Sequence, residues 1–95
     1  MNKEQFSVGD VVKSVAGRDK DKIFIIIRTQ EKSVFLVDGR TRKINNPKKK
    51  SAKHLEMISV AKGFDLAIKI QQGEPIANKK VYRIINAKKE KLQED

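Results

Sequence analysis

The run IFIII, Ile23 to Ile27, constrains this chain more than any other stretch. Its β-branched and aromatic residues favour a buried strand over a helix. Directly before it the residues are almost all charged: Arg18, Asp19, Lys20, Asp21 and Lys22, with Gly17 leading the burst. Further upstream Val11, Val12 and Val15 mark another strand, opened by Gly9-Asp10. The segment therefore reads as strand, charged loop, strand. Gly17 gives the loop a position that takes a positive φ, or that lets another backbone come close.

The strand-like runs continue. Ser33 to Val37 (SVFLV) makes a third, reached through the polar turn Thr29 to Lys32. Asp38-Gly39 is a hairpin signal, so Arg40 to Ile44 is expected to return as a fourth strand. Asn45-Asn46-Pro47 breaks it, Asn45 to Ser51 reads as a loop, and Leu55 to Ile58 reads as a fifth strand. Five short strands joined by tight turns suggest a small barrel, because closure removes exposed sheet edges.

After Gly63 the apolar period becomes helical: Phe64, Ala67, Ile68 and Gln71, widened by Leu66 and Ile70 and stopped at Gly73. Glu74-Pro75 connects to a second helix, capped by Asn78 and running to about Leu92, with Val81, Ile84, Ile85 and Leu92 on one side and a charged tail expected to fray. The expected organisation is a β part over residues 1–60 and a helical extension over 61–95. The extension is too short to fold alone, so it should pack on the barrel or on a partner.

The chain has 95 residues, enough for one domain. It has no cysteine, which excludes disulfides and cysteine-based zinc sites, and its one histidine, His54, makes no metal site alone. No nucleophile–base pair is visible, and Gly17 belongs to no GxxxxGK[ST] phosphate loop. The expectation is therefore no catalytic residue, no metal, no cofactor and no small-molecule substrate. The N-terminus lacks a signal-type apolar core, and no apolar run approaches the ~20 residues that span a bilayer. These features favour a soluble, cytoplasmic protein without a membrane partner.

Lysine and arginine number 22 against 12 acids, a net charge of +10. Such a balance attracts polyanions, and the positive residues are clustered. Lys13, Arg18, Lys20 and Lys22 fall around the first loop. Arg40, Arg42, Lys43, Lys48, Lys49, Lys50 and Lys53 form a second group with no acid among them. On the expected fourth strand Arg40 and Arg42 share one face and Lys43 points the other way, while the lysines of the following loop adapt to a phosphate path. The bland alternative for the KKK run is a solvated loop. Lysine contacts read phosphate position more than base identity, which fits structured RNA recognised by shape. Exposed aromatics are scarce, against a single-strand binder built on stacking: Phe35 reads as core, and Tyr82, beside Lys79 and Arg83, is the one candidate for stacking. His54 either meets a phosphate or donates to a backbone carbonyl.

The stretch GDVVKSVAGRDKDKIFIIIR resembles a KOW motif: a leading Gly-Asp, paired valines, a central glycine, an Asp-Lys loop and an apolar strand. Such motifs sit inside SH3-like barrels of ribosomal proteins and transcription elongation factors. The continuation FLVDGRTRKINNPKKKSAKHL is similar to that of small bacterial KOW-domain RNA-binding proteins, relatives of archaeal and eukaryotic large-subunit ribosomal proteins. The resemblance covers about residues 8–56. It implies a five-stranded SH3-like barrel followed by two helices, and a non-catalytic, ribosome-associated protein of the translation apparatus, with ribosomal or other structured RNA and ribosomal proteins as candidate partners. It also implies an alternative, since KOW domains of elongation factors dock on proteins; the stripe Val81, Ile84, Ile85 would serve that role. One departure stands out: Asp21 occupies a loop position where the motif usually has glycine. Aspartate tolerates a positive φ better than most residues, but adds a negative charge beside the phosphate path.

Overall fold

A computed structural model describes residues 6–59 and 64–93. The strands are β1 (Val11–Ser14), β2 (Ile23–Gln30), β3 (Ser33–Val37), β4 (Lys48–Ser51) and β5 (Leu55–Ser59); the 3-10 turn Ala52–His54 joins the last two, and helices α1 (Phe64–Gln71) and α2 (Asn78–Gln93) follow. All strand pairs are antiparallel, in the order β4-β3-β2-β1-β5.

This order forces curvature. The two outermost strands are consecutive in the chain, and the span from Ser51 to Leu55 reaches at most about 14 Å. The edges of a flat five-stranded sheet would lie about 19 Å apart. The sheet therefore curls, although no ladder joins β4 to β5 among the described residues. Two bulges help it bend, one between Val11 and Val12 and one between Ile26 and Arg28.

The run IFIII is apolar throughout because β2 is covered on both faces. Phe24 and Ile26 join Val12, Val34, Leu36 and Leu55 in a core on the concave side, with Phe6 and Met57 packed against it. Ile23 and Ile25 point the other way and meet Val11, Val37, Leu66, Val81 and Ile85. The helical extension thus packs on the convex face of the sheet.

Several expectations need correction. Arg40 to Ile44 is a loop, not a strand. The fourth strand is Lys48–Ser51, a segment expected to be a loop, and it pairs with β3 from Leu36↔Lys48 to Ser33↔Ser51. β1 ends at Ser14, and Val15 is exposed. The third turn is shorter than expected: β2 runs to Gln30, and Glu31, at φ +47°, starts a two-residue connection to β3. In α1 the buried side is Leu66 and Ala67, while Ile68 is exposed. Gly73, at φ +75°, ends that helix by donating to Ile70 O, as expected. Asn78 does not cap α2 through its side chain; the first helical bonds go to Ala77 O, and Asn78 Oδ1 accepts from Ile44 N at 2.8 Å. The charged tail stays helical to Gln93. The boundary expected between residues 60 and 61 lies outside the described residues.

Candidate nucleic-acid interface

The two basic groups are built very differently. In the first, the loop from Val15 to Lys22 folds back on the end of β1. Asp21 N donates to Ser14 O at 2.7 Å, and Ser14 N donates to Lys22 O at 3.0 Å. Asp21 sits at φ +75°, so the position does require the left-handed conformation that the glycine of a KOW motif would supply.

Asp19 turns inward from this loop and is buried. Its Oδ1 lies 2.8 Å from Lys50 Nζ and 2.7 Å from Ser14 Oγ, and its Oδ2 lies 3.5 Å from Lys48 Nζ. Lys50 Nζ also donates to Ala16 O at 2.9 Å. Burial pushes the Asp19 carboxyl up, but hydrogen bonds from Lys50 and Ser14 and the charges of Lys50 and Lys48 outweigh it and hold the group at about 2. The register explains which lysines are drawn in: Lys48 and Lys50 pair with Leu36 and Val34 and share their concave face, whereas Lys49 pairs with Phe35 on the other. A buried carboxylate therefore ties the first loop to β4 and uses two lysines of the KKK run to do so.

The second group is organised by Asp38. Its Oδ1 accepts from the backbone N–H of Arg40 (2.9 Å) and Arg42 (2.8 Å), and its Oδ2 accepts from Thr41 Oγ1 (2.6 Å). Asp38 N and Gly39 N both donate to Arg42 O. Burial raises the Asp38 carboxyl, yet these donors together hold it below its ordinary value. Gly39 has φ +83°, and a Cβ there would collide with Asn78 O and stand 2.8 Å from Tyr82 N. The glycine is needed because α2 begins against the loop, not only for the turn.

That close approach brings Arg40 onto Tyr82. The guanidinium carbon lies 4.9 Å from the ring centroid, and Nη1 donates to the Tyr82 hydroxyl at 3.1 Å. Between the Asp38 loop, the residue preceding β2 and the flank of α2 that carries Tyr82, Ile85 and Lys89 runs an open groove, lined also by Lys22, Ile23, Asp38, Arg40 and Thr41. Lys22, Arg40 and Lys89 are exposed around it.

The sequence-derived residues thus divide. Lys13 pairs with Glu56 across β1 and β5 at 3.7 Å, and Lys48 and Lys50 are taken by Asp19. Arg18 and Lys20 are exposed on the first loop, Arg42 is half-buried and Lys43 exposed on the second. Arg40 and Arg42 share no strand face, because no strand forms there. Lys53 is exposed but lines a different depression, with Phe6, Lys32 and Leu55. Gly17, at φ +86°, and Gly39 both need their positive φ. Phe35 is half-buried rather than core, with Arg28 stacked 4.1 Å from its centroid. His54 O accepts from Val15 N at 2.9 Å, a main-chain bond in which the ring takes no part.

Two residues escaped the sequence reading. Asp19 was one charge in a charged loop, and its main partner lies 31 residues away. Lys89 belonged to a tail expected to fray. A signal existed for it: Tyr82, Ile85 and Lys89 follow one another at three and four residues, the spacing of a single helix face. No protein-family model matches the chain, and no curated protein matches it. Among the described residues no helix is long and apolar enough to cross a membrane.

Proposed function

We propose that this protein is a non-catalytic RNA-binding module of the translation apparatus, a KOW-type SH3-like barrel with its helical extension packed outside. The observation that carries this reading is the convergence of Lys22, Arg40 and Lys89, from three separate elements, on one open groove whose acid, Asp38, is saturated by its own loop. Cations left over after the internal pairs are satisfied are those available to phosphates. Two further features support the family reading. The outermost strands of the sheet are joined by a 3-10 turn, which suits a small barrel. Asp21 adopts the positive φ that the motif's glycine would provide.

The protein-docking alternative is weakened. Its stripe, Val81, Ile84 and Ile85, is turned to the sheet: Val81 and Ile85 belong to the convex-face core and Ile84 packs against it.

The test is binding of a structured ribosomal RNA fragment across a salt series. The affinity should fall with a log–log slope of about −0.7 to −0.9 per phosphate neutralised. Charge reversal at Lys22 and Lys89 should abolish crosslinking to RNA in cells. A salt-independent affinity, or crosslinks unchanged in that variant, would discard the reading.

A further inference from the structure

We infer that the groove between the Asp38 loop and α2 is a seat for one unpaired nucleotide of an otherwise structured RNA. This rests on the RNA-binding reading above and adds a recognition element to it, since basic loops alone would grip phosphates without regard to pairing.

The argument starts from Arg40. An arginine on an exposed loop ordinarily samples many rotamers. Here the loop is fixed by three hydrogen bonds to the Asp38 carboxylate, two from the backbone N–H groups of Arg40 and Arg42 and one from the Thr41 hydroxyl, and the guanidinium is held by both the ring and the hydroxyl of Tyr82. The rotamer cost of presenting a flat cation is met before any ligand arrives. An unpaired base offers a π-face of matching size, and guanidinium planes and aromatic rings are the surfaces on which splayed RNA bases stack.

The rest of the groove suits such an occupant. Its floor is apolar, made by Ile23 and Ile85, both buried residues of the convex-face core. Its rim carries Lys22 and Lys89, exposed and outside the ion pairs among the described residues. A flat apolar and cationic centre flanked by ammonium groups matches a base with a phosphate on either side. A paired duplex presents no free base face to such a site, and its phosphates would reach only the rim.

The experiment compares two RNA hairpins, one fully paired and one with a single bulged 2-aminopurine, binding to the full chain at fixed salt. The bulged hairpin should bind roughly 10-fold more tightly, the size expected of one stacked base, and its fluorescence should be quenched. Arg40→Lys keeps the charge but loses the plane; it should remove the preference for the bulge, bringing the ratio of the two affinities to about one, whatever its effect on the paired hairpin. Tyr82→Leu should do the same, and the lysine variant guards against any loss of folding in the leucine one. Equal affinity of the two hairpins for the unaltered protein, or an Arg40→Lys variant that still prefers the bulge, overturns the nucleotide seat while RNA binding stands. Failure of both hairpins to bind at low salt overturns the RNA reading itself, and the seat with it.

Discussion

Two loops of this protein carry most of its chemistry, and they use charge in opposite ways. The loop before β2 spends its acid on the interior: Asp19 is buried, bridged to Lys50 and faced by Lys48. The loop after β3 spends its acid on itself: Asp38 closes the turn and leaves Arg40 outside, laid on Tyr82. The densest cationic stretch of the sequence, KKK, therefore yields its charge largely to structure. A sparser set, Lys22, Arg40 and Lys89, keeps its charge for the surface. Density along the chain is a poor guide to density in space when a strand period of two sends alternate residues to opposite faces.

The glycines of the two loops separate most sharply. Gly39→Ala combines a left-handed backbone with a collision against the start of α2, and should cost about 4 kcal/mol, a large part of the stability of a domain this small. Gly17→Ala meets only the flexible end of Lys50, at 3.3 Å, and Asp19 Oδ1, at 3.7 Å. It should cost about 1–2 kcal/mol from the backbone alone. Urea unfolding of both variants measures the difference. Equal losses would mean that α2 is not seated on the second loop.

Removing the inward acid comes next. Asp19→Ala strands the Lys50 ammonium, whose side chain is only 12% exposed, and should destabilise the fold by about 3 kcal/mol. Asp38→Ala, at a more open site, should cost about 1 kcal/mol and act mainly by loosening Arg40. A reversed order in urea midpoints would show that the first loop is not pinned by its carboxylate.

These contrasts also explain what was legible beforehand. β1, β2, β3, β5 and both helices announce themselves through local period: valines and isoleucines at strand spacing, then apolar residues at helical spacing. β4 does not, because KKKS has no apolar face of its own. It is a strand because β3 offers an edge and because a carboxylate 31 residues upstream of Lys50 accepts its ammonium group. The turn signal at Asp38-Gly39 is real, but the turn closes a loop and not a hairpin. The Asp38 side chain closes the loop on itself and the glycine admits a helix, so no strand returns. The basic character of the surface was visible in composition; which cations stay outside the ion pairs among the described residues was not, since that depends on contacts between residues far apart in the chain.

Acid titration isolates the same pair of carboxylates. Asp19 has its pKa lowered from 3.8 to about 2 in the folded protein. The stability it contributes is therefore complete above about pH 4 and is lost as pH falls toward 2. The full effect is roughly 2 kcal/mol. Asp38 shifts in the same direction and adds to the loss. In Asp19→Asn the fall in stability between pH 4 and pH 2 should shrink to the share of the remaining carboxylates. An unchanged pH profile would remove Asp19 as the anchor of the first loop.

The smallest effect is the most diagnostic for the surface. If Lys22 and Lys89 meet phosphates, Lys22→Met and Lys89→Met should each flatten the log–log salt dependence of RNA binding by about 0.7 to 0.9, the contribution of one phosphate contact. Lys50→Met should leave that slope unchanged, because its ammonium already lies 2.8 Å from Asp19 and releases no RNA-bound counterion. The same variant should lower stability, since it leaves the buried carboxylate without its nearest cation. Binding and unfolding thus move in opposite columns: two lysines alter the salt slope without altering stability, and one alters stability without altering the slope. A Lys50→Met variant that flattened the salt slope as much as Lys22→Met would mean that RNA draws Lys50 away from Asp19, and that the first loop opens when it binds.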